Sequence, residues 1–296
     1  MSIYNEIAVN KARTYVIIAI FIFLISGLFF LIGKYFENPV FYFTIGILIA
    51  VISSVWSYYN SDKVVLFTTG AKPATKEKYF NFYTVTENLA LADGLPMPKL
   101  YVMQQPAMNA FATGRDPKHA VVCATSGLLE KLNRTELEGV IAHELSHVKN
   151  YDILLSSIVA VLVGVVAIAT DWILRTMWWG GNDDERDNRN PIMFVFLILA
   201  LIISPLVATL IQLAVSRRRE FLADASGALL TRYPEGLARA LEKISADKTP
   251  LWNISPSTAH LFISNPFQKK SITSWISNLY STHPPAEERI KILRSM

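Results

Sequence analysis

The run His143-Glu144-Leu145-Ser146-His147 places two imidazoles and a carboxylate within five residues. On a helix, residues four apart lie one above the other, so both imidazoles can reach one metal ion. Glu144, one position past the first histidine, can reach a water on that ion. Its neighbours Val140, Ile141, Ala142, Leu145 and Val148 are apolar, an unusual setting for solvated histidines. A catalytic zinc site usually has three protein ligands and one open position. The third candidate lies in Arg217-Arg218-Arg219-Glu220-Phe221-Leu222-Ala223-Asp224, where Glu220 and Asp224 are again four apart. Glu220 is placed to ligate. Asp224 is placed to hydrogen-bond the free ring nitrogen of a ligand histidine, His143 first among them, as carboxylates behind metal-bound imidazoles do. The expected cofactor is one Zn2+ per chain, although ligands of this kind accept neighbouring divalent metals.

These residues need elements to bring them together. Thr135-Glu136-Leu137-Glu138 has the form of a capping box that starts the histidine-bearing helix. Four apolar blocks dominate the rest: Thr14 to Gly33, Pro39 to Tyr59, Ile153 to Thr170 and Ile192 to Val215. The first is uncharged and, at 1.5 Å per residue, reaches roughly 30 Å, enough for a hydrocarbon core. It lacks an Ala-x-Ala cleavage site and reads as a retained helix. The second ends in Trp56, Tyr58 and Tyr59, residues suited to a membrane interface. The third is about the shortest run that can span, and the fourth carries Pro205, where a kink is expected. If the third and fourth blocks form an antiparallel hairpin, the helix leading into it and the helix leaving it emerge on the same side. His147 and Glu220 can then face each other.

Lysine and arginine placement sets the orientation. Lys11 and Arg13 precede the first block, Lys63, Lys72, Lys76 and Lys78 follow the second, and Arg217, Arg218 and Arg219 follow the fourth. All three clusters fall on one side, so four spans with cytoplasmic termini and active site are expected. Residues 1–60 are read as a transmembrane hairpin, and 153–215 as a second hairpin with a polar extracytoplasmic loop. Residues 61–152 and 216–296 then form the cytoplasmic domain. Within that domain the pattern predicts a helix over Thr75 to Ala92 and strands near Lys99–Met103, Asn109–Thr113 and Ala120–Thr125. A helix is predicted from Ser126, and others at 217–231, 234–246 and 285–295. The fold class is mainly α, a multi-span membrane protein with a small β-sheet in its water-facing domain.

A 52% apolar content with only 18% charged residues suits a membrane protein better than a soluble one. The net charge of +4 gives no nucleic-acid footprint. The single cysteine, Cys123, excludes an intrachain disulfide and a thiolate zinc cluster; its apolar run predicts a buried strand thiol. His119 and His260 are read as surface or core residues.

Taken together, Asn109-Ala110-Phe111-Ala112-Thr113-Gly114, the helix from His143 to Asp152, Ser216-Arg217 leading to Glu220 and Asp224, and Thr282-His283-Pro284-Pro285 resemble the HtpX-type membrane zinc metallopeptidases, which are related to the CaaX-processing prenyl proteases. The resemblance covers nearly the whole chain. It implies a gluzincin-like core, ligand roles for His143, His147 and Glu220, and Glu144 as general base. It also implies that Asn109, Ala110, Phe111, Ala112 and Thr113 form an edge strand that pairs with substrate backbone. His283 and Arg217 are candidates for holding the developing oxyanion. The implied protein is a hydrolase of the cytoplasmic membrane, acting on polypeptides and above all on damaged or misassembled membrane proteins, a stress-response role. Prenyl-protein processing and a catalytically silent zinc scaffold are the alternatives. Four spans favour the first reading over the former, and an intact Glu144 favours it over the latter.

Overall fold

The computed structural model describes residues 3–179, 216–252, 254–266 and 284–296. The fourth apolar block and His283 lie outside them. The chain opens with two long helices, α1 (Ile3–Tyr35) and α2 (Pro39–Thr69). Asn38 accepts the Phe41 N–H at the start of α2, and Pro39 sits where a missing N–H is harmless. Gly70, at φ 64, ends the helix in the left-handed conformation glycine adopts without penalty. Glu6–Lys34 and Pro39–Thr69 are each long and apolar enough to cross a membrane. Their surface pattern is that of helices solvated by lipid. Phe23, Phe41, Ile52 and Trp56 face outward, while the small side chains Ser26, Ser54, Ser57 and Ser61 are buried. The second helix carries on past Tyr59 to Thr69, so residue 60 falls inside it rather than at a boundary.

A four-stranded sheet follows, with β1 (Lys72–Pro73), β2 (Lys99–Met103), β3 (Ala110–Gly114) and β4 (Ala120–Thr125) in the order β1-β2-β4-β3. The β2–β4 pair is parallel, and β3 runs antiparallel to β4 at the open edge with Ala112 opposite Val122. Helix α3 (Phe80–Ala92) begins later than Thr75, because residues 76–79 form a turn before it. The two-residue strand β1 is too short to show an alternating pattern in sequence.

Next come α4 (Ser126–Lys131) and α5 (Arg134–Lys149), which carries the two histidines. Its capping box sits two residues earlier than the sequence pattern suggested. Asn133 accepts the Glu136 N–H, and Glu136 accepts the Asn133 N–H. Thr135 instead donates its hydroxyl to the Asn133 side chain. Asn and Thr compete for such positions, and here the carboxamide prevails. Helix α6 (Asp152–Trp179) contains the third apolar block. Together with α5, across a bend of 82°, it is long and apolar enough to make a broken span. The N-terminal half of α6 is packed inside the protein, with Leu155, Ile158, Val159 and Leu162 fully buried.

The chain resumes with α7 (Arg217–Thr231), α8 (Pro234–Ala246) and, at the C-terminus, α9 (Ala286–Arg294). Three apolar clusters knit these parts together. One joins the sheet's inner face to α5 and α8, a second joins α1 to α6, and a third covers the other sheet face through Phe111 and Phe262. Each buried leucine or isoleucine contributes about 1.5–3 kcal/mol, so α5 is held firmly by the first cluster alone. Cys123 is buried at the centre of the third, where burial pushes its thiol pKa up.

Candidate metal centre

The histidine helix meets α7 at close range because Gly227 faces it. A Cβ there would stand 3.1 Å from the His143 backbone nitrogen, tighter than ordinary contact. Two turns earlier on α7, Glu220 is thereby brought over the imidazole pair. His143 Nε2 and His147 Nε2 lie 3.2 Å apart, and the Glu220 oxygens are 3.8 and 3.6 Å from them. Donors about 2.0–2.2 Å from a tetrahedral ion stand about 3.3–3.5 Å from one another. The three groups fit one zinc ion, and among the described residues no other set of three His, Cys, Asp or Glu side chains converges as closely.

Each imidazole has a carboxylate behind it. His143 Nδ1 is 2.9 Å from Asp224 Oδ1, and His147 Nδ1 is 2.9 Å from Asp152 Oδ2. Both carboxylates select the Nδ1–H tautomer and turn the Nε2 lone pairs toward the gap. The electrostatics of the two rings differ. Burial lowers the pKa of His143, and Arg289 acts in the same direction against the pull of Asp224. Burial also pushes His147 down, but the Asp152 hydrogen bond and the Glu220 charge outweigh it and hold the ring up to about 9. Nε2 of His147 can therefore carry a proton toward His143, and metal and proton compete for the same lone pairs.

Arg289, on α9, completes the His143 side. It is fully buried and grips Asp224 through two bonds, Nε to Oδ2 at 2.8 Å and Nη2 to Oδ1 at 2.6 Å. Its Nη1 lies 3.8 Å from Glu220 Oε2, so one guanidinium serves both acids of α7. Sequence reasoning missed it, because Glu287-Glu288-Arg289 reads as a solvated charge run. The available signal was its position one turn before Leu293, which shares its buried face.

Glu144 is buried and lines the same cleft as His143, His147, Glu220, Arg219, His260 and Ala112. Arg217, the oxyanion candidate, is exposed at the start of α7 and is not among the residues that line the cleft. Arg219 is the arginine of that run that reaches the cleft. His119 is a surface residue paired with Asp116, whereas His260 is buried in the cleft wall against the Ser156 carbonyl.

The edge strand is partly occupied. Thr125 N–H bonds Asn109 O, which turns the backbone groups of Ala110, Ala112 and Gly114 away from β4. Ala110 O accepts from Ile263 N–H, the Asn109 carboxamide pairs with Ser264, and Gly114 N–H donates to Ser157 Oγ. Phe111 and Thr113 face β4 with their backbone groups. Ala112 is the strand position left beside the metal pair.

The profile of Peptidase family M48 matches residues 81–296. A protein named Protease HtpX homolog, from Caldanaerobacter subterraneus subsp. tengcongensis, is 46% identical, the match covering 100% of this chain and 98% of the relative. Another of the same name, from Tropheryma whipplei (strain Twist), is 45% identical over 99% of this chain and 98% of its own length. Among solved structures, the crystal structure of S. mikatae Ste24p aligns with a TM-score of 0.50 and 17% identity, covering 98% of this chain and 66% of that one. At that identity the likeness speaks for the fold.

Proposed function

The chain belongs to peptidase family M48 and is an HtpX-type zinc metallopeptidase, and from that premise we propose that it is a membrane-embedded endopeptidase acting on damaged or misassembled membrane proteins and on unfolded chains. His143, His147 and Glu220 hold one zinc, and Asp224 orients His143. When bound, zinc supplies a Lewis acid that polarises a carbonyl and lowers the pKa of a coordinated water.

The protein's own groups do the rest. An extended polypeptide pairs its backbone with Ala112 at the β3 edge, in the manner of strand addition, which tolerates varied side chains. Glu144 accepts the proton of the attacking water and delivers it to the leaving amine nitrogen. Its burial keeps bulk water from competing for that proton. The segment from β1 to the end of α5, together with residues 216–296, forms the catalytic unit on the cytoplasmic side, and four spans anchor it, the last two as a hairpin through 153–215.

What supports this reading above all is the convergence of His143, His147 and Glu220 at ligand spacing, with Glu144 in the same buried cleft. The test is cleavage of an unfolded protein by the purified zinc-loaded chain and by Glu144→Gln. A loss of about 10²–10⁴-fold with zinc retained is expected; equal cleavage would remove Glu144 from the chemistry. Glu220→Ala should lose zinc, and full occupancy there would exclude it as a ligand. For the substrate class, the chain reconstituted in vesicles should cut a misassembled membrane protein in preference to its folded form. Equal cutting of both would defeat the quality-control reading.

A further inference from the structure

Helix α1 does more than anchor. Its Asn10 is 1% exposed, although it lies near the end of a long apolar helix, where a carboxamide is costly to bury without partners. Its partners are all at the metal centre's support. Asn10 Nδ2 donates to the Asn150 carbonyl at 2.9 Å and to Asp152 Oδ1 at 2.7 Å. The other oxygen of Asp152 is the one held by His147 Nδ1. Arg219, next to Glu220, donates from Nη1 to Asp152 Oδ1 at 3.1 Å and lies 3.5 Å from Asn10 Oδ1.

Asn10 and its neighbour Lys11 clamp the elbow between α5 and α6. Tyr151, at the corner, has φ 60, a left-handed conformation that costs a non-glycine residue about 1–2 kcal/mol. Lys11 sits 4.2 Å over the Tyr151 ring while Asn10 bonds the residues on either side of it. The 82° bend, and with it the placement of Asp152 behind His147, is thus braced by the first apolar helix.

We infer that Asn10 is a positioning residue for the metal site: through Asp152 it sets the ring orientation of His147, so that the seating of α1 governs how tightly the catalytic metal is held. The inference rests on His143, His147 and Glu220 being the ligands. It gives the first apolar helix a part in the reaction that anchoring alone does not require, because a tether need not bond the carboxylate behind a ligand.

The test measures zinc affinity of the full-length chain in detergent by competition with a chromophoric chelator, and the visible spectrum of its Co2+ form. Asp152→Asn should weaken zinc binding about 10–100-fold, the usual effect of losing a carboxylate behind a ligand histidine. Asn10→Ala should weaken it about 10-fold, the lower end of the same range, and shift the Co2+ bands. Combined with Asp152→Asn, Asn10→Ala should cause no further loss, since both act through one chain of bonds. Thr14→Val, one turn along α1, removes only a hydroxyl bonded to the Asn10 carbonyl and should change neither readout. If Asn10→Ala does not accumulate, Asn10→Ser, too short to reach Asp152, takes the same measurements.

Wild-type affinity and an unaltered Co2+ spectrum in the Asn10 variant, or strictly additive losses in the double variant, would overturn the inference. His147→Ala and Glu220→Ala separate the two layers. If they retain zinc, the ligand assignment has failed. If they lose zinc while Asn10→Ala keeps it, only the role of Asn10 has failed.

Discussion

His143 and His147 stand one turn apart on a single helix, yet opposite ends of the chain support them. Behind His143 are Asp224 and Arg289, the latter from the C-terminal helix. Behind His147 are Asp152, Arg219 and Asn10, the last from the first apolar helix. The His143 support is a two-bond buried ion pair between α9 and α7. The His147 support is also a buried ion pair, but Arg219 makes a single bond to Asp152 and shares that oxygen with Asn10, where α1 meets the start of α6. One imidazole is thus backed by a two-bond ion pair from the C-terminal helix, and the other by a carboxylate that the first apolar helix also holds. The electrostatics follow the same division, with burial lowering the His143 pKa while Asp152 and Glu220 hold that of His147 up to about 9.

Arg289→Ala should break the C-terminal side most severely. It leaves the Asp224 carboxylate buried with only His143, and loss of one partner from a buried pair costs about 3–5 kcal/mol. Thermal or denaturant unfolding of the purified protein should show it. Loss of less than about 1 kcal/mol would mean that the two supports are not as unequal as the two-bond Arg289–Asp224 pair suggests. Asp224→Asn and Asp152→Asn then compare the two sides directly. Each should reduce zinc affinity about 10–100-fold, but Asp224→Asn should also destabilise the fold, because it leaves Arg289 without its bidentate partner.

The pH dependence of metal uptake sharpens the contrast further. With its pKa held up to about 9, His147 binds a proton that zinc must displace. Affinity should therefore fall about tenfold for each pH unit below that value and level off above it, with one proton released per zinc. In Asp152→Asn the His147 pKa drops, and the levelling point should move toward neutral pH. An unchanged profile would show that Asp152 does not set the basicity of this ring. The smallest effect belongs to Asn133→Ala at the far end of α5. Loss of the cap should cost about 1 kcal/mol in unfolding and leave zinc affinity unchanged, since it touches neither support.

Much of the fold was legible because its signals are local. Lys99–Met103 and Ala120–Thr125 are strands at the positions their apolar runs indicated, and the helices at 217–231 and 234–246 begin and end where the pattern placed them. The start of α5 was misplaced by two residues because Asn133 and Thr135 are both good caps, and their competition is settled by geometry rather than by residue type. The continuation of α2 to Thr69 was missed for a different reason. Lys63 and Asp62 end the apolar run but not the helix, since hydropathy records the solvent around a helix and not its backbone.

By itself the sequence determined which groups could hold a metal and that two of them share a helix face, because a spacing of four residues fixes direction on a regular helix. It also determined that long apolar helices accompany them. Only the tertiary structure decided that Glu220 meets the two imidazoles at ligand spacing, that Arg289 and Asn10 stand behind the two acids, and that Ile263 occupies part of the β3 edge. These contacts join residues far apart in the chain, and no periodicity links them. They exist because buried charges and carboxamides must find partners wherever packing brings them, and packing is a property of the whole molecule.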